Sequence, residues 1–317
     1  MEHRRLDERA IHLGARSTAD QVLAGIDLTR KYFLITGCNS GIGFETMNAL
    51  AANGAHVIGL ARSFAGAKAA CDKAGRRAIP VACDLADLAS VTRAARTIRG
   101  LEVPLDGLIA NAGVAIPPTL QTRGGVELQF LVNYIGHFLL INQIADLVRN
   151  DCGRIIIVSS SASITHAPQQ GIMFDNLDGT RSYEPLQFYG QSKFAVALYA
   201  KELSHRLRAR RIAVNSVHPG ATRGTGLYRN LRVPKRMAIL AAHLFGKSAT
   251  QGAATQVFLA GSPQAAGITG EYWSNCRIVA GNTLLCDRGL SNRLWKVSEK
   301  IIAAQDTSNS KSGQVAA

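Results

Sequence analysis

Short apolar runs alternate with longer stretches of helical periodicity along most of the chain. Tyr32-Phe33-Leu34-Ile35-Thr36 is the first such run, and it stops at Gly37. The pattern recurs at 56–60, 78–82, 105–110, 154–158 and 212–217, with a further run at 268–273. Apolar runs bounded by turn residues read as buried strands. The intervening periodicity predicts helices over 42–53, 64–75, 87–99, 124–149 and 187–209. Asn53-Gly54 and Gly75 supply stop signals for the first two. Apolar strands alternating with helices imply a parallel sheet covered on both faces. Right-handed crossovers then wind the sheet doubly. The expected architecture is one α/β domain with a seven-stranded parallel sheet over residues 31–302. An N-terminal extension (1–30) precedes it, and a small, polar stretch at 303–317 reads as a disordered tail. No linker or internal repeat divides the chain.

Composition narrows the class. Of 317 residues, 47% are hydrophobic and 18% charged, which suits a well-filled α/β core. No apolar run reaches the roughly 18–20 residues needed to span a bilayer. The first ten residues carry charge throughout, unlike a secretory signal. A soluble, cytoplasmic protein is the expectation. Six scattered cysteines form no CxxC pair and have no histidines spaced beside them, so reduced thiols and no metal are expected.

Charge adds one feature. The formal net charge is +14, and between Lys201 and Lys247 eleven Lys/Arg face one acid, Glu202. No low-complexity basic arm or aromatic interleaving accompanies them, which argues against nucleic acid. An anionic substrate or a membrane surface stays open.

Thr36-Gly37-Cys38-Asn39-Ser40-Gly41-Ile42-Gly43 joins the first strand to the first helix. Gly37 permits a tight turn, and Gly41 and Gly43 remove side chains where backbone must approach a pyrophosphate or pack on the sheet. Free N–H groups and the positive helix end would face the phosphates. Gly37, Asn39, Ser40, Gly41, Ile42 and Gly43 are therefore candidate cofactor residues in a Rossmann-type domain. At the end of the second strand, Ala61-Arg62 stands where an acid would grip the 2′-hydroxyl of NAD. A small residue and a cation suit the 2′-phosphate of NADP, which is favoured over NAD. Asp84 and Leu85 could meet the adenine, or Asp84 could cap the next helix.

Tyr189 and Lys193, four residues apart, share one face at the start of a predicted helix. A nearby ammonium stabilises a phenolate, which predicts a tyrosine able to exchange a proton near neutral pH. Ser159 and Ser160 follow the fifth strand, at the carboxyl edge where ligands bind such sheets. A hydroxyl there can hydrogen-bond an oxygen that gains charge.

With these motifs the chain resembles the short-chain dehydrogenases/reductases, and within them the branch of retinol dehydrogenases and WW-domain-containing oxidoreductases. The resemblance covers about 27–302. It rests on the glycine loop, Asn111-Ala112-Gly113, Val132-Asn133-Tyr134-Ile135-Gly136-His137-Phe138, Val158-Ser159-Ser160, Tyr189-x3-Lys193 and His218-Pro219-Gly220. Branch-level signs are the insertion between Ser160 and Tyr189, Gly270-x-Tyr272, and Leu294-Trp295-x2-Ser298-Glu299. It implies Tyr189 as general acid/base and Lys193 as its tuner and ribose anchor. Ser160 would orient the substrate oxygen, and Asn133 would support a water chain from Lys193. Asn111, Ala112 and Gly113 would line the cofactor cleft, and Pro219 and Gly220 would approach the nicotinamide. A family threonine would be met by Thr225, one place late, or by Thr222. Cys38 replaces a small residue usual in the branch. Homo-oligomers occur in the family, so one is expected here.

The implied reaction is hydride transfer between NADP(H) and an alcohol or carbonyl carbon of a small, hydrophobic molecule. Residues 223–247 lie where relatives carry a substrate lid. Their mix of apolar and basic side chains fits a lipophilic pocket, a membrane surface or a solvated face over ordinary core. Alternatives of other kinds are an NADP(H)-binding regulatory protein with little turnover, a C=C reductase on the same fold, and a peripheral membrane protein. Loss of Tyr189 or Lys193 would mark the first of these, and both are present.

Overall fold

The computed structural model describes residues 13–223 and 246–314. After α1 (Ala19–Leu23), strands and helices alternate as β1 (Tyr32–Thr36), α2 (Gly41–Ala52), β2 (His56–Ala61), α3 (Phe64–Ala74), β3 (Ala78–Ala82), α4 (Leu88–Arg99) and β4 (Gly107–Ala110). A hairpin, β5 (Thr122–Arg123) and β6 (Val126–Glu127), leads into α5 (Leu128–Phe130), a π-helical turn at Leu131–Ile135, and α6 (Gly136–Ile144). Then come β7 (Arg154–Val158), α7 (Ala162–Thr165), α8 (Pro185–Arg206), β8 (Ala213–His218), α9 (Ala249–Gly261), β9 (Tyr272–Ser274), β10 (Arg277–Ile278) and α10 (Arg288–Gln314).

The main sheet has eight strands in the order β10-β9-β8-β7-β4-β1-β2-β3. The first seven in sequence outside the hairpin are parallel, as expected; β10 is added antiparallel to β9. The reversal comes from Asn275 and Cys276, at φ 54° and 58°, which turn the chain back on itself. Strand order changes direction between β1 and β4, and a crevice opens at such a switch point.

Alternation within each strand explains the continuous apolar runs. Leu34, Ile58, Leu108, Ile155, Ile157 and Val214 face one core, filled from α4, α6 and α8. Phe33, Ile35, Val57, Ile109, Ile156 and Val217 face the other, filled from α2, α3 and α9. Both faces are thus buried, and each strand reads as wholly apolar.

Two expectations need revision. The helix expected over 124–149 starts late: Gly124 and Gly125, at φ 57° and 73°, make a two-residue hairpin turn first. Glu127 then caps α5 by accepting the Phe130 N–H. The stretch from 303, expected to be disordered, is helical as far as Gln314. Extending an existing helix costs far less than nucleating one, so the turns begun at Arg288 carry through polar sequence. The N-terminal extension packs on the body: α1 lies against α9, and Leu23 and Leu28 are buried there. The expected lid at 223–247 lies almost wholly outside the described residues. Among those described, no helix is long and apolar enough to cross a membrane.

Candidate active site

The glycine loop is pinned from beneath. Gly37 and Cys38 both donate their N–H to the Leu60 carbonyl, at 2.8 and 3.1 Å. Gly37 and Gly41 sit at φ 72° and 55°, a region that disfavours other residues. A Cβ on Gly43 would fall 2.1 Å from the Gly37 carbonyl oxygen and 2.5 Å from Asn111 Nδ2. The first turn of α2 therefore rests directly on the loop. Ser40 is the N-cap of α2, yet its side chain makes no capping bond. The N–H groups at this helix end stay available to an anion.

Thr36 and His137 tie the ends of β1 and β4 to the helix behind the crevice. The Thr36 hydroxyl accepts from the N–H groups of Asn111 and Ala112, at 3.0 and 2.9 Å, and meets His137 Nε2 at 2.8 Å. His137 Nδ1 lies 2.9 Å from the Asn133 carbonyl, which can only accept, so Nδ1 carries the proton. Burial pushes the ring down to about 4, so it is neutral and Nε2 accepts from Thr36. Asn111 Nδ2 adds a bond to the Thr36 carbonyl at 2.9 Å. The ends of β1 and β4 are locked to the helix that carries Asn133. Neither Thr36 nor His137 was singled out from the sequence as a site residue, although both lie inside quoted motifs.

At the far end of the crevice, Arg62 is exposed, and among the described residues no carboxylate pairs with it. Ser63 next to it caps α3 by accepting from Gly66 N–H. Asp84 does not cap α4; Asp87 does, accepting from Ala89 N–H at 3.0 Å. Asp84 instead accepts from Ala86 N–H and stands 3.8 Å from Arg123, which also lines the crevice. Leu85 is buried against Gly136.

Tyr189 and Lys193 project from the first turns of α8, which Glu184 caps and Pro185 opens. Lys193 is buried, and its Nζ donates to the Val158 carbonyl at 2.9 Å. Burial lowers its pKa to about 8. Its Nζ is 5.9 Å from the centre of the Tyr189 ring. The two serines after β7 separate by role. Ser159 Oγ donates to the Lys193 carbonyl at 2.7 Å, stapling strand to helix. Ser160 is half-exposed on the crevice, its Oγ accepting from Ala162 N–H at 3.2 Å.

Asn133 does not line the crevice. It is buried behind it in the π-helical turn, exchanging two bonds with the Val114 backbone at 2.8 and 3.0 Å. Its Nδ2 also donates to Ser192 Oγ, which donates to the Tyr189 carbonyl, at 2.9 and 2.8 Å. Ser192, which stands within the Tyr189–Lys193 motif, thus ties Asn133 to the Tyr189 backbone.

The crevice measures about 1220 Å³. It is lined by Gly37, Asn39, Ser40, Gly41, Ile42, Gly43, Arg62, Asp84, Leu85, Asn111, Ala112, Gly113, Ser160, Tyr189, Lys193, Pro219, Gly220 and Thr222. All of the expected site residues therefore meet there except Asn133, which supports it, and Thr225, which lies outside the described residues. Gly220 turns at φ 89° beside Lys247. Thr222 and Lys247 form an isolated parallel bridge at the mouth. Ala115, Ala162, Ile116 and Leu186 pack around Tyr189, and of these Ala115 also lines the crevice.

The sequence profile of the short chain dehydrogenases matches residues 31–172 and 176–235. The chain belongs to the short-chain dehydrogenase family. This short-chain dehydrogenase is 37% identical to the short-chain dehydrogenase TIC 32 B, chloroplastic, of Brassica napus, over 91% of this chain and 94% of that one. It is 34% identical to human retinol dehydrogenase 14, with 86% of each chain covered. It shares 34% with the human WW domain-containing oxidoreductase, covering 94% of this chain and 73% of that one. Both relatives belong to the branch that its motifs resemble. Among solved structures it is similar to a Brucella melitensis 3-ketoacyl-(acyl-carrier-protein) reductase complexed with NADH, at TM-score 0.60 and 26% identity over 78% of this chain and 96% of that one. A blue fluorescent protein from a metagenomic library, in complex with NADPH, matches with the same figures. The family binds nicotinamide cofactors, and a dinucleotide fits this crevice: the glycine cradle admits no Cβ at Gly43, and an uncapped helix end faces it.

Proposed function

We propose that this chain is an NADP(H)-dependent oxidoreductase acting on an alcohol or carbonyl group of a lipophilic small molecule. The observation that carries this reading is the meeting of Tyr189, Lys193 and Ser160 with the glycine cradle in one crevice. Gly37 to Gly43, Asn111 to Gly113 and Pro219-Gly220 would hold the dinucleotide, with Arg62 beside its 2′-phosphate. When bound, the cofactor supplies or accepts the hydride.

This chain's residues handle the proton and the oxygen. Ser160 Oγ donates a hydrogen bond to the substrate oxygen, where charge develops. Tyr189 gives its phenolic proton to that oxygen in reduction and takes it back in oxidation. Lys193 is still mostly protonated at pH 7, and its charge favours the phenolate form. Val114, Ala115, Leu128 and Val132 on the crevice lining suit a substrate with an apolar part. The exposed Arg62, which meets no carboxylate among the described residues, after small Ala61 supports NADP over NAD.

Fluorescence titration with NADPH and NADH, then a panel of lipophilic carbonyl compounds under NADPH oxidation, tests the reading. Tighter NADPH binding and turnover that disappears in Tyr189→Phe are expected. Tight NADPH binding without turnover across the panel moves the case to a regulatory protein. Binding of neither nucleotide sinks the proposal.

A further inference from the structure

Gly270-x-Tyr272 lies away from the crevice, and the reaction scheme above makes no use of it. Gly270 sits at φ 78°, donates to the Val214 carbonyl at 2.7 Å and accepts from Lys201 Nζ at 2.9 Å. A side chain there would come within 3.0 Å of Ser204 Oγ. That turn launches β9 in the register that pairs Tyr272 with Ser216. The buried Tyr272 phenol then donates to the Ser160 carbonyl at 2.9 Å. Ser163 adds its Oγ at 2.6 Å and its N–H at 2.9 Å to the same oxygen.

The next N–H belongs to the same peptide plane. Ser161 N–H donates to His218 Nδ1 at 3.1 Å, from the end of β8. Burial, with Lys247 and Lys193 nearby, lowers His218 to about 4 and keeps the ring neutral, so this acceptor persists. Burial also holds the Tyr272 phenol above its ordinary range, so it stays a donor. The Ser160–Ser161 peptide is thus gripped at both ends, by β9 through its carbonyl and by β8 through its N–H. A peptide plane so held restrains ψ at Ser160 and with it the Cα–Cβ direction, and the Ala162 N–H that Ser160 Oγ accepts at 3.2 Å then holds the rotamer.

We propose that Tyr272 is a positioning residue which, with His218, fixes the Ser160 hydroxyl toward the reacting oxygen. This rests on the reading of Ser160 given under Proposed function. Gly270 serves the same end by setting the register, which gives the Gly-x-Tyr spacing a mechanical purpose. Misplacement of a reacting group by a fraction of an ångström costs rate while leaving remote binding contacts alone.

Tyr272→Phe removes one oxygen and keeps the ring. It is expected to lower kcat about ten-fold with the NADPH Kd unchanged. In a Ser160→Ala background the same change should have no further effect, because the two act as one unit. An unchanged kcat in Tyr272→Phe, or an equal loss with Ser160 already removed, overturns the proposal. Should Tyr272→Phe fail to fold, the His218 pair decides. His218→Asn keeps an acceptor where Nδ1 stands and should retain kcat, whereas His218→Leu should lose it; equal behaviour of the two overturns the clamp. A Ser160→Ala enzyme as fast as the parent would instead remove the reading of Ser160 itself.

Discussion

Lys193 Nζ donates to the Val158 carbonyl at 2.9 Å, so the cation of α8 is bound to the end of β7 inside the protein. Its pKa of about 8 lies below the value of about 10.4 expected of the unfolded chain. Below pH 8 the ammonium is charged in both states, and burying it costs folding free energy. Stability from this group therefore rises as pH climbs from about 8 toward 10.4. Lys193→Met should abolish turnover yet raise the melting temperature at pH 7 by about 2–5 °C. That gain should shrink above pH 8. Calorimetry across pH 6 to 10.5 checks this, and a variant less stable at pH 7 refutes it.

Gly43→Ala would put a Cβ 2.1 Å from the Gly37 carbonyl oxygen. Backbone on both sides must then move. A loss of about 1–3 kcal/mol is expected from overpacking, together with loss of nucleotide binding. Urea unfolding and NADPH fluorescence read the two effects.

Under the proposed function, Arg62 would meet the 2′-phosphate of NADPH. Arg62→Ala should weaken NADPH binding about 10–100-fold, the range of one or two charge-assisted hydrogen bonds. NADH binding should change little. Equal weakening of both nucleotides would mean that Arg62 does not read the phosphate.

Asn133→Ala removes two bonds to the Val114 backbone and one to Ser192. Buried polar groups are left without partners, at a cost of about 2–3 kcal/mol. Turnover should fall along with stability, because Ser192 bonds the Tyr189 carbonyl. Asn133→Asp keeps the acceptor for Val114 N–H only and should fall between the two. Denaturation curves and kcat on the same preparations check the order.

The parallel sheet was legible because both its faces are buried, so each strand announces itself as a closed apolar run. The glycine loop was legible because a tight turn and a close helix leave no room for side chains. Gly124-Gly125 is a glycine pair of the kind that turns a hairpin, but the helical periodicity that follows it from Leu128 masks that signal. Asp84 and Asp87 are both plausible caps in sequence, and only the backbone path shows that Asp87 meets the helix N–H.

By itself the sequence determined the α/β alternation, the glycine loop between β1 and α2, and the placing of Tyr189 and Lys193 on one helix face, since each depends on local spacing along one strand or helix turn. Tertiary structure decided which serine is free and which is a staple, because Ser159 is claimed by a carbonyl on α8, 34 positions away. It also decided that Thr36 and His137, 101 positions apart, fix the crevice, and that Tyr272 reaches Ser160 across 112. Hydrogen bonds between distant elements follow from strand order and register, and no local spacing encodes them.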